Sequence, residues 1–357
     1  MRNTNEFPLT EYQPKLWTPK KVLITSDALR EEFGRQIVDR VQALGIEIDE
    51  LKNNKINGLK GKTTAETYRN AKSALAIVVA PPGQMKLQPI PPSADYQFHL
   101  AQGCPAHCQY CYLAGSLPGL PLTRVYANLD EILENTKKYR KEGRTTSFEA
   151  SCYTDPLSLE HLTGALSKTI AFFGQQKDAM LRWVSKFDNV DGLLTIAHGG
   201  NTRARISLNT GSIVKSFEGG AAGLYQRLQA LRKLALPVTE GGGGYPVGVV
   251  MAPLMPVDNW EDMYDELFIQ IAAYLDFDTD LTFEFITHRF TDTSREVLEG
   301  WYPNTSLDLD INTRSVKMTK FGSKKYVYQK EIMVKMKSFF YQKAAQHFPK
   351  AKVLYWT

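Results

Sequence analysis

The sequence predicts an α/β protein: a partial (β/α)6 barrel of the TIM type, with a small α/β domain before it and a basic hairpin and helix after it. Three observations carry that expectation. Short apolar runs alternate with stretches of helical periodicity, a Pro-rich segment separates the first unit from the rest, and lysines crowd the C-terminal end. With 357 residues, 43% of them hydrophobic and 23% charged, the chain has the composition of an ordinary globular protein with room for a large core.

The elements follow in order. Val22–Thr25 reads as a short strand, Ala28–Leu44 as a helix and Ala74–Ala80 as a buried strand. Pro81-Pro-Gly and Pro91-Pro-Ser then mark a linker, which closes a first domain over residues 1–93. Beyond it, strands are expected at Tyr96–Ala101, Ser147–Ser151, Leu181–Ser185, Arg203–Leu208, Val247–Met251 and Leu281–Ile286. Helices are expected at Leu129–Lys141, Leu159–Phe173, Gly223–Leu234, Asn259–Leu275 and Asp292–Trp301, with a shorter connection over Asp188–His198. These units make a barrel domain over residues 94–310, whose chemistry belongs at the C-terminal ends of its strands. The glycine run Gly241–Gly244 lacks the Lys-Ser/Thr of a phosphate-binding loop and reads as a flexible connection. Residues 311–357 read as a hairpin over Ser315–Tyr328, a helix over Lys330–His347 and a last strand over Lys352–Trp356.

Charge is unevenly spread. Eleven Lys or Arg stand between Ile311 and Thr357 against the single acid Glu331, whereas Met255–Asp310 holds fourteen acids against Arg289 and Arg295. The chain as a whole is +5, so everything before Ile311 is net negative. A basic end on an otherwise acidic chain is the footprint of a polyanion binder, and equally that of a solvated lysine-rich helix face. No apolar run approaches the ~18 residues of a membrane span, and the N-terminus lacks the apolar core of a signal peptide. A cytoplasmic monomer is expected.

Three of the four cysteines form CxxxCxxC at Cys104, Cys108 and Cys111, just past the first barrel strand. Three thiolates within eight residues suit an iron–sulfur cluster with one iron left open for a ligand. A zinc site completed by His107 or Cys152 uses the same trio, although no second CxxC or HxxxH occurs. Cys152 follows the second barrel strand, which puts its loop beside the cysteine loop; a lone Cys is otherwise a small core residue.

The CxxxCxxC spacing resembles the signature of radical S-adenosylmethionine enzymes. Together with Tyr68–Ser73, Ser147–Asp155, Leu181–Phe187, Thr202–Asn209, Thr287–Thr291 and Lys325–Lys330, it makes the chain resemble the spore photoproduct lyase family over nearly its whole length. The resemblance implies a [4Fe–4S] cluster on Cys104, Cys108 and Cys111, with S-adenosylmethionine at the open iron. It implies a 5′-deoxyadenosyl radical that takes a hydrogen from C6 of the dihydrothymine half of a thymine dimer in DNA. On the same resemblance, Cys152 returns a hydrogen atom to the product, while Tyr110 and Tyr112 pass one back toward the cofactor. Thr154, Lys186 and Ser207 fall where the family binds the cofactor's amino and carboxylate ends, Thr154 standing in place of a serine. Lys320 and Phe321 occupy the hairpin positions where the family carries an Arg-Tyr wedge, and Lys325 joins them as a DNA contact. The partners implied are double-stranded DNA bearing a thymine lesion and an unidentified electron donor. Two rivals remain at this point: a radical enzyme for another thymine lesion or a non-DNA substrate, and a zinc-stabilised nucleic-acid-binding protein.

Overall fold

The computed structural model describes residues 13–117, 119–318 and 324–357; Lys320 and Phe321, expected at the hairpin tip, lie outside them. The chain begins with β1 (Lys21–Ile24), α1 (Ser26–Arg30), α2 (Glu32–Ala43), β2 (Ile48–Glu50), α3 (Thr64–Lys72) and β3 (Ala74–Val78). Glu31 is extended, with φ −71° and ψ 136°, so the helix expected over Ala28–Leu44 is split in two. Next come β4 (Gln88–Ile90), β5 (Ala94–Phe98), β6 (Ala101–Gln102), β7 (His107–Cys108) and β8 (Thr123–Tyr126). The first sheet has the order β2-β1-β3-β8-β6, so two of its five strands come from beyond residue 93.

The main sheet starts at β5 and continues through α4 (Leu129–Thr136), β9 (Thr146–Ala150), α5 (Glu160–Thr163), α6 (Ala165–Gly174), β10 (Ala179–Ser185) and β11 (Thr202–Leu208). It goes on through α7 (Gly211–Phe217), β12 (Glu218–Gly219), α8 (Leu224–Ala235), β13 (Val247–Leu254), α9 (Trp260–Tyr274), β14 (Leu281–Thr287) and α10 (Asp292–Trp301). A hairpin of β15 (Arg314–Met318) and β16 (Lys324–Tyr328), helix α11 (Lys330–His347) and β17 (Lys352–Trp356) complete it. Eight strands in the order β17-β14-β13-β11-β10-β9-β5-β4 form a curled half-barrel sheet. Neighbours from β5 to β17 are parallel and β4 alone is antiparallel. The curl is read from side chains: Arg205 on β11 reaches both Glu149 on β9 and Glu284 on β14.

Local sequence explains some element ends. A capping box joins Thr291 and Ser294 at the start of α10, and Thr63 Oγ1 accepts the Glu66 N–H at the start of α3. The helix expected over Leu159–Phe173 breaks at Gly164, which adopts φ 66°. Gly241–Gly244 is not a loose connection. Each of its four amides donates to a backbone carbonyl of residues 233–238, which folds the run back on the end of α8. A Cβ on Gly242 would meet Leu236 O at 2.1 Å, so the run is built of glycine for close approach.

One contiguous cluster of buried apolar side chains runs from Val22 in the first sheet to Phe340 in α11. In α11 the buried residues are Met336, Phe340 and Ala344, a stripe at four-residue spacing that leaves the lysines outside. Some of those lysines have internal partners. Lys335 pairs with Glu261, Lys343 with Asp265 and Lys350 with Asp278, so the basic helix lies against the acidic α9 segment. Among the described residues, Lys317, Lys324 and Lys325 on the hairpin, and Lys330, Lys337 and Lys352 outside it, have no ion pair with an acid.

Candidate active site

The cysteine loop joins the two sheets. From β5 the chain crosses into the first sheet as β6, passes Cys104, pairs as β7 with β12, and returns as β8. The β7–β12 register sets Glu218 opposite Cys108. All four cysteines are free thiols. Cys104 and Cys108 each lie close enough to Cys111 to feel its charge, and burial raises both thiols, Cys104 to about 12. Among the described residues no three His, Cys, Asp or Glu side chains converge tightly enough for one metal ion. A tetrahedral zinc requires that convergence. A cubane cluster takes one thiolate per iron and holds its ligands farther apart. The donor set fits the cluster: three thiols, none oxidised, on one loop.

The second loop is Ser151–Asp155. Ser151 has φ 61°, a left-handed turn at a non-glycine residue, and its Oγ accepts the Leu100 N–H at 3.1 Å. That turn throws Cys152 off the end of β9. Gly103 N donates to Tyr153 O at 2.8 Å, which ties the Cys152 loop to the cysteine loop. Burial pushes the Cys152 thiol up to about 12, so it is held as S–H. Tyr112 lies near Cys152 and Cys111 and is 60% exposed, so it does not pack in the core.

On the inner face of β10 and β11, Lys186 Nζ donates to Ser207 Oγ at 2.8 Å, Glu218 Oε1 at 3.0 Å and Ala252 O at 2.9 Å. Asp155 Oδ2 accepts the Lys186 N–H at 2.7 Å, which joins this group to the Thr154 turn. Among the described residues Thr154 Oγ1 is buried without a hydrogen-bond partner, an open site for a polar ligand group. The expected cofactor residues Thr154, Lys186 and Ser207 thus meet at one mouth with Cys152, Tyr110 and Tyr112.

Glu218 is the residue that sequence reasoning missed. Its carboxylate accepts the Tyr110 hydroxyl and the Lys186 ammonium and pairs with buried Arg227. Burial alone would raise it, but Lys186 and Arg227 outweigh burial and hold it at about 2. Its one sequence signal was an acid between a phenylalanine and two glycines, and its partner Tyr110 stands 108 residues away.

The hairpin joins the same end of the sheet. Tyr326 and Phe290 exchange two backbone hydrogen bonds just past β14. Lys325 loses some basicity through burial and through the nearby cations Arg289 and Lys317, a concentration of positive charge beside the mouth.

The spore photoproduct lyase family model matches residues 17–357. The chain belongs to the spore photoproduct lyase family. It is 41% identical to a Geobacillus spore photoproduct lyase over 352 residues, covering 96% of this chain and 100% of that protein. Against the Bacillus subtilis spore photoproduct lyase the identity is 39% over 346 residues, with 96% and 99% covered. A solved spore photoproduct lyase complexed with dinucleoside spore photoproduct superposes with a TM-score of 0.89 at 39% identity, covering 96% of this chain and all of that one. A doubly substituted variant, solved with bound AdoMet and the same dinucleoside, superposes at 0.90 with the same identity and coverage. Membership makes the protein an enzyme, a lyase. No helix among the described residues is long and apolar enough to cross a membrane.

Proposed function

We infer that the protein reverses spore photoproduct in DNA, returning two thymines, with a [4Fe–4S] cluster and S-adenosylmethionine as cofactors. The observation that carries this reading is the near full-length match to a solved lyase bound to dinucleoside spore photoproduct. The arrangement of the mouth supports its chemistry. Cys104, Cys108 and Cys111 hold the cluster, and Thr154, Lys186 and Ser207 take the amino and carboxylate ends of S-adenosylmethionine. When bound, these two groups supply a carbon-centred radical that removes a hydrogen atom from the lesion.

The remaining steps belong to the chain's own residues. A duplex must give up the damaged bases to reach the mouth, because chemistry on a stacked base requires extrusion. The cations beside β14, Lys325 among them, hold the phosphates, and Lys320 and Phe321 act at the hairpin tip. Once the bond joining the thymines breaks, one thymine carries a radical. The Cys152 S–H gives it a hydrogen atom and becomes a thiyl radical. Tyr112, next to Cys152, restores the thiol with its phenolic hydrogen, Tyr110 restores Tyr112 in turn, and the hydrogen first taken from the lesion would return from the cofactor end to Tyr110, which closes the balance. Glu218 anchors the Tyr110 hydroxyl at the cofactor end of this relay. An electron donor of low potential and a monomeric state in the cytoplasm complete the proposal.

The test is direct. The anaerobically reconstituted protein, given reductant, S-adenosylmethionine and an oligonucleotide with a defined spore photoproduct, should restore thymines. Failure on this lesion with success on another thymine lesion would favour the second reading. Cys152→Ala should keep its iron and still cleave S-adenosylmethionine, yet yield trapped adducts in place of clean thymine by mass spectrometry. Normal repair by that variant would remove Cys152 from the mechanism.

A further inference from the structure

The Tyr68–Ser73 segment carries part of the family resemblance but has no part in the chemistry above. It forms the second half of α3, in the first sheet's layer, and it holds the cysteine loop through Tyr68 and Lys72. Lys72, at the last position of α3, is 7% exposed, and its ammonium donates to Cys104 O and Ala106 O. Those carbonyls flank Pro105, which has no N–H of its own to brace the turn. Tyr68, one turn earlier on the same helix face, hydrogen-bonds His107 Nδ1 at 2.9 Å and the Tyr302 hydroxyl, and it stacks on Trp301 at 4.7 Å.

Lys72 is an electrostatic oddity. Lysine is rarely buried unless paired, and a buried unpaired charge is costly. Among the described residues no carboxylate hydrogen-bonds or ion-pairs with it; its hydrogen bonds go to the two neutral carbonyls. Lys72, Cys104 and Cys111 line one cavity of about 590 Å³, whose lining includes Lys62 and no acid. The missing counter-charge is the one that three thiolates on a cluster would bring.

We propose that Lys72 is a positioning residue for the cluster, whose ammonium fixes the Cys104–Cys108 turn and offsets the negative charge gathered there. The proposal rests on the reading of Cys104, Cys108 and Cys111 as cluster ligands. A cluster gains one negative charge on reduction, and net charge and hydrogen bonding set its potential. A fixed cation close by therefore favours the reduced form.

The experiment compares the full-length wild type with Lys72→Met, Lys72→Gln and Lys72→Arg after anaerobic reconstitution. Its readouts are iron per chain, the rate of iron loss to a chelator, the midpoint potential by spectroscopic titration, and the thermal melt. Lys72→Met and Lys72→Gln should shift the potential downward and lose iron about tenfold faster, as disruption of an outer ligand shell does. Lys72→Arg, which keeps the charge, should hold the potential near wild type. Loss of all iron from Lys72→Gln with a wild-type melt also supports the role. Wild-type potential and iron retention in the two neutral variants would overturn it, and so would failure of every Lys72 variant to fold, which would make the lysine a structural pillar only. A wild type that binds no iron would instead overturn the cluster reading itself.

Discussion

Midway along the half barrel and at its mouth, the same inward strand faces carry charge under opposite conditions. At mid-height Glu149, Arg182, Arg205 and Glu284 are all buried, and each has a partner of opposite sign. Ser93 donates to Glu149 at 2.8 Å and Tyr355 to Glu284 at 2.5 Å, so the carboxylates are bonded from the sheet edges too. Two residues up β11 from Arg205 stands Ser207, and four up β10 from Arg182 stands Lys186, on the same faces. There the pattern changes: among the described residues Thr154 Oγ1 has no hydrogen-bond partner, and Lys325 lies near the cations Arg289 and Lys317. The lower layer pairs each of these charges with an opposite one as a plug, whereas the upper layer also leaves a hydroxyl and a group of cations open to a ligand. Charge in the lower layer thus serves the fold, whereas the mouth also keeps polar groups that a ligand can meet.

The contrast can be broken by substitution. The largest effect is expected in the plug: Arg205→Met leaves Glu149 and Glu284 short of a counter-charge in the interior, at a cost of roughly 3–5 kcal/mol. Denaturant unfolding measures it, and a loss below about 1 kcal/mol would mean that water reaches the layer.

Glu218, buried among Tyr110, Lys186 and Arg227 at the mouth, comes next. Its folded value of about 2 lies below the usual 4.5, so its stabilisation is full above the unfolded value and is lost as the pH falls through about 2. Glu218→Gln should therefore destabilise the protein at neutral pH, with the deficit narrowing progressively below about pH 4.5. A deficit independent of pH would show that the hydrogen bonds matter and the charge does not.

At the mouth, Thr154→Val removes a hydroxyl that has no partner in the free protein. Thermal stability should hold, while the Kd for S-adenosylmethionine in equilibrium dialysis should rise about tenfold, the worth of one hydrogen bond to a ligand. Unchanged affinity would dismiss Thr154 as a cofactor contact. The smallest change belongs to Lys325→Ala, which should weaken duplex binding a few-fold and reduce the salt slope by about 0.9. A steeper slope or unaltered binding would move the DNA elsewhere.

What was legible in the sequence was local. Six parallel strand positions, the helix over Lys330–His347 and the last strand followed from periodicity, and the three thiols announced themselves by spacing. Helix breaks at Glu31 and Gly164 were missed because both sit inside continuous apolar patterns, and α3 because its faces are mostly polar. The basic C-terminal segment also read as one footprint, until α11 proved to lay Lys335 and Lys343 on the acids Glu261 and Asp265 of α9.

The sequence by itself determined the elements, the thiol trio and the family, since each depends on residues close together or on a motif read in order. Only the tertiary structure decided which charges are paired. Glu218 meets Tyr110 across 108 residues, Arg205 meets Glu284 across 79, and Lys72 meets Cys104 across 32. Each of these contacts depends on how the sheet curls and which strands become neighbours. Chain closure over such lengths leaves no periodic trace in the sequence, and a buried lysine or glutamate looks the same in one dimension as a solvated one.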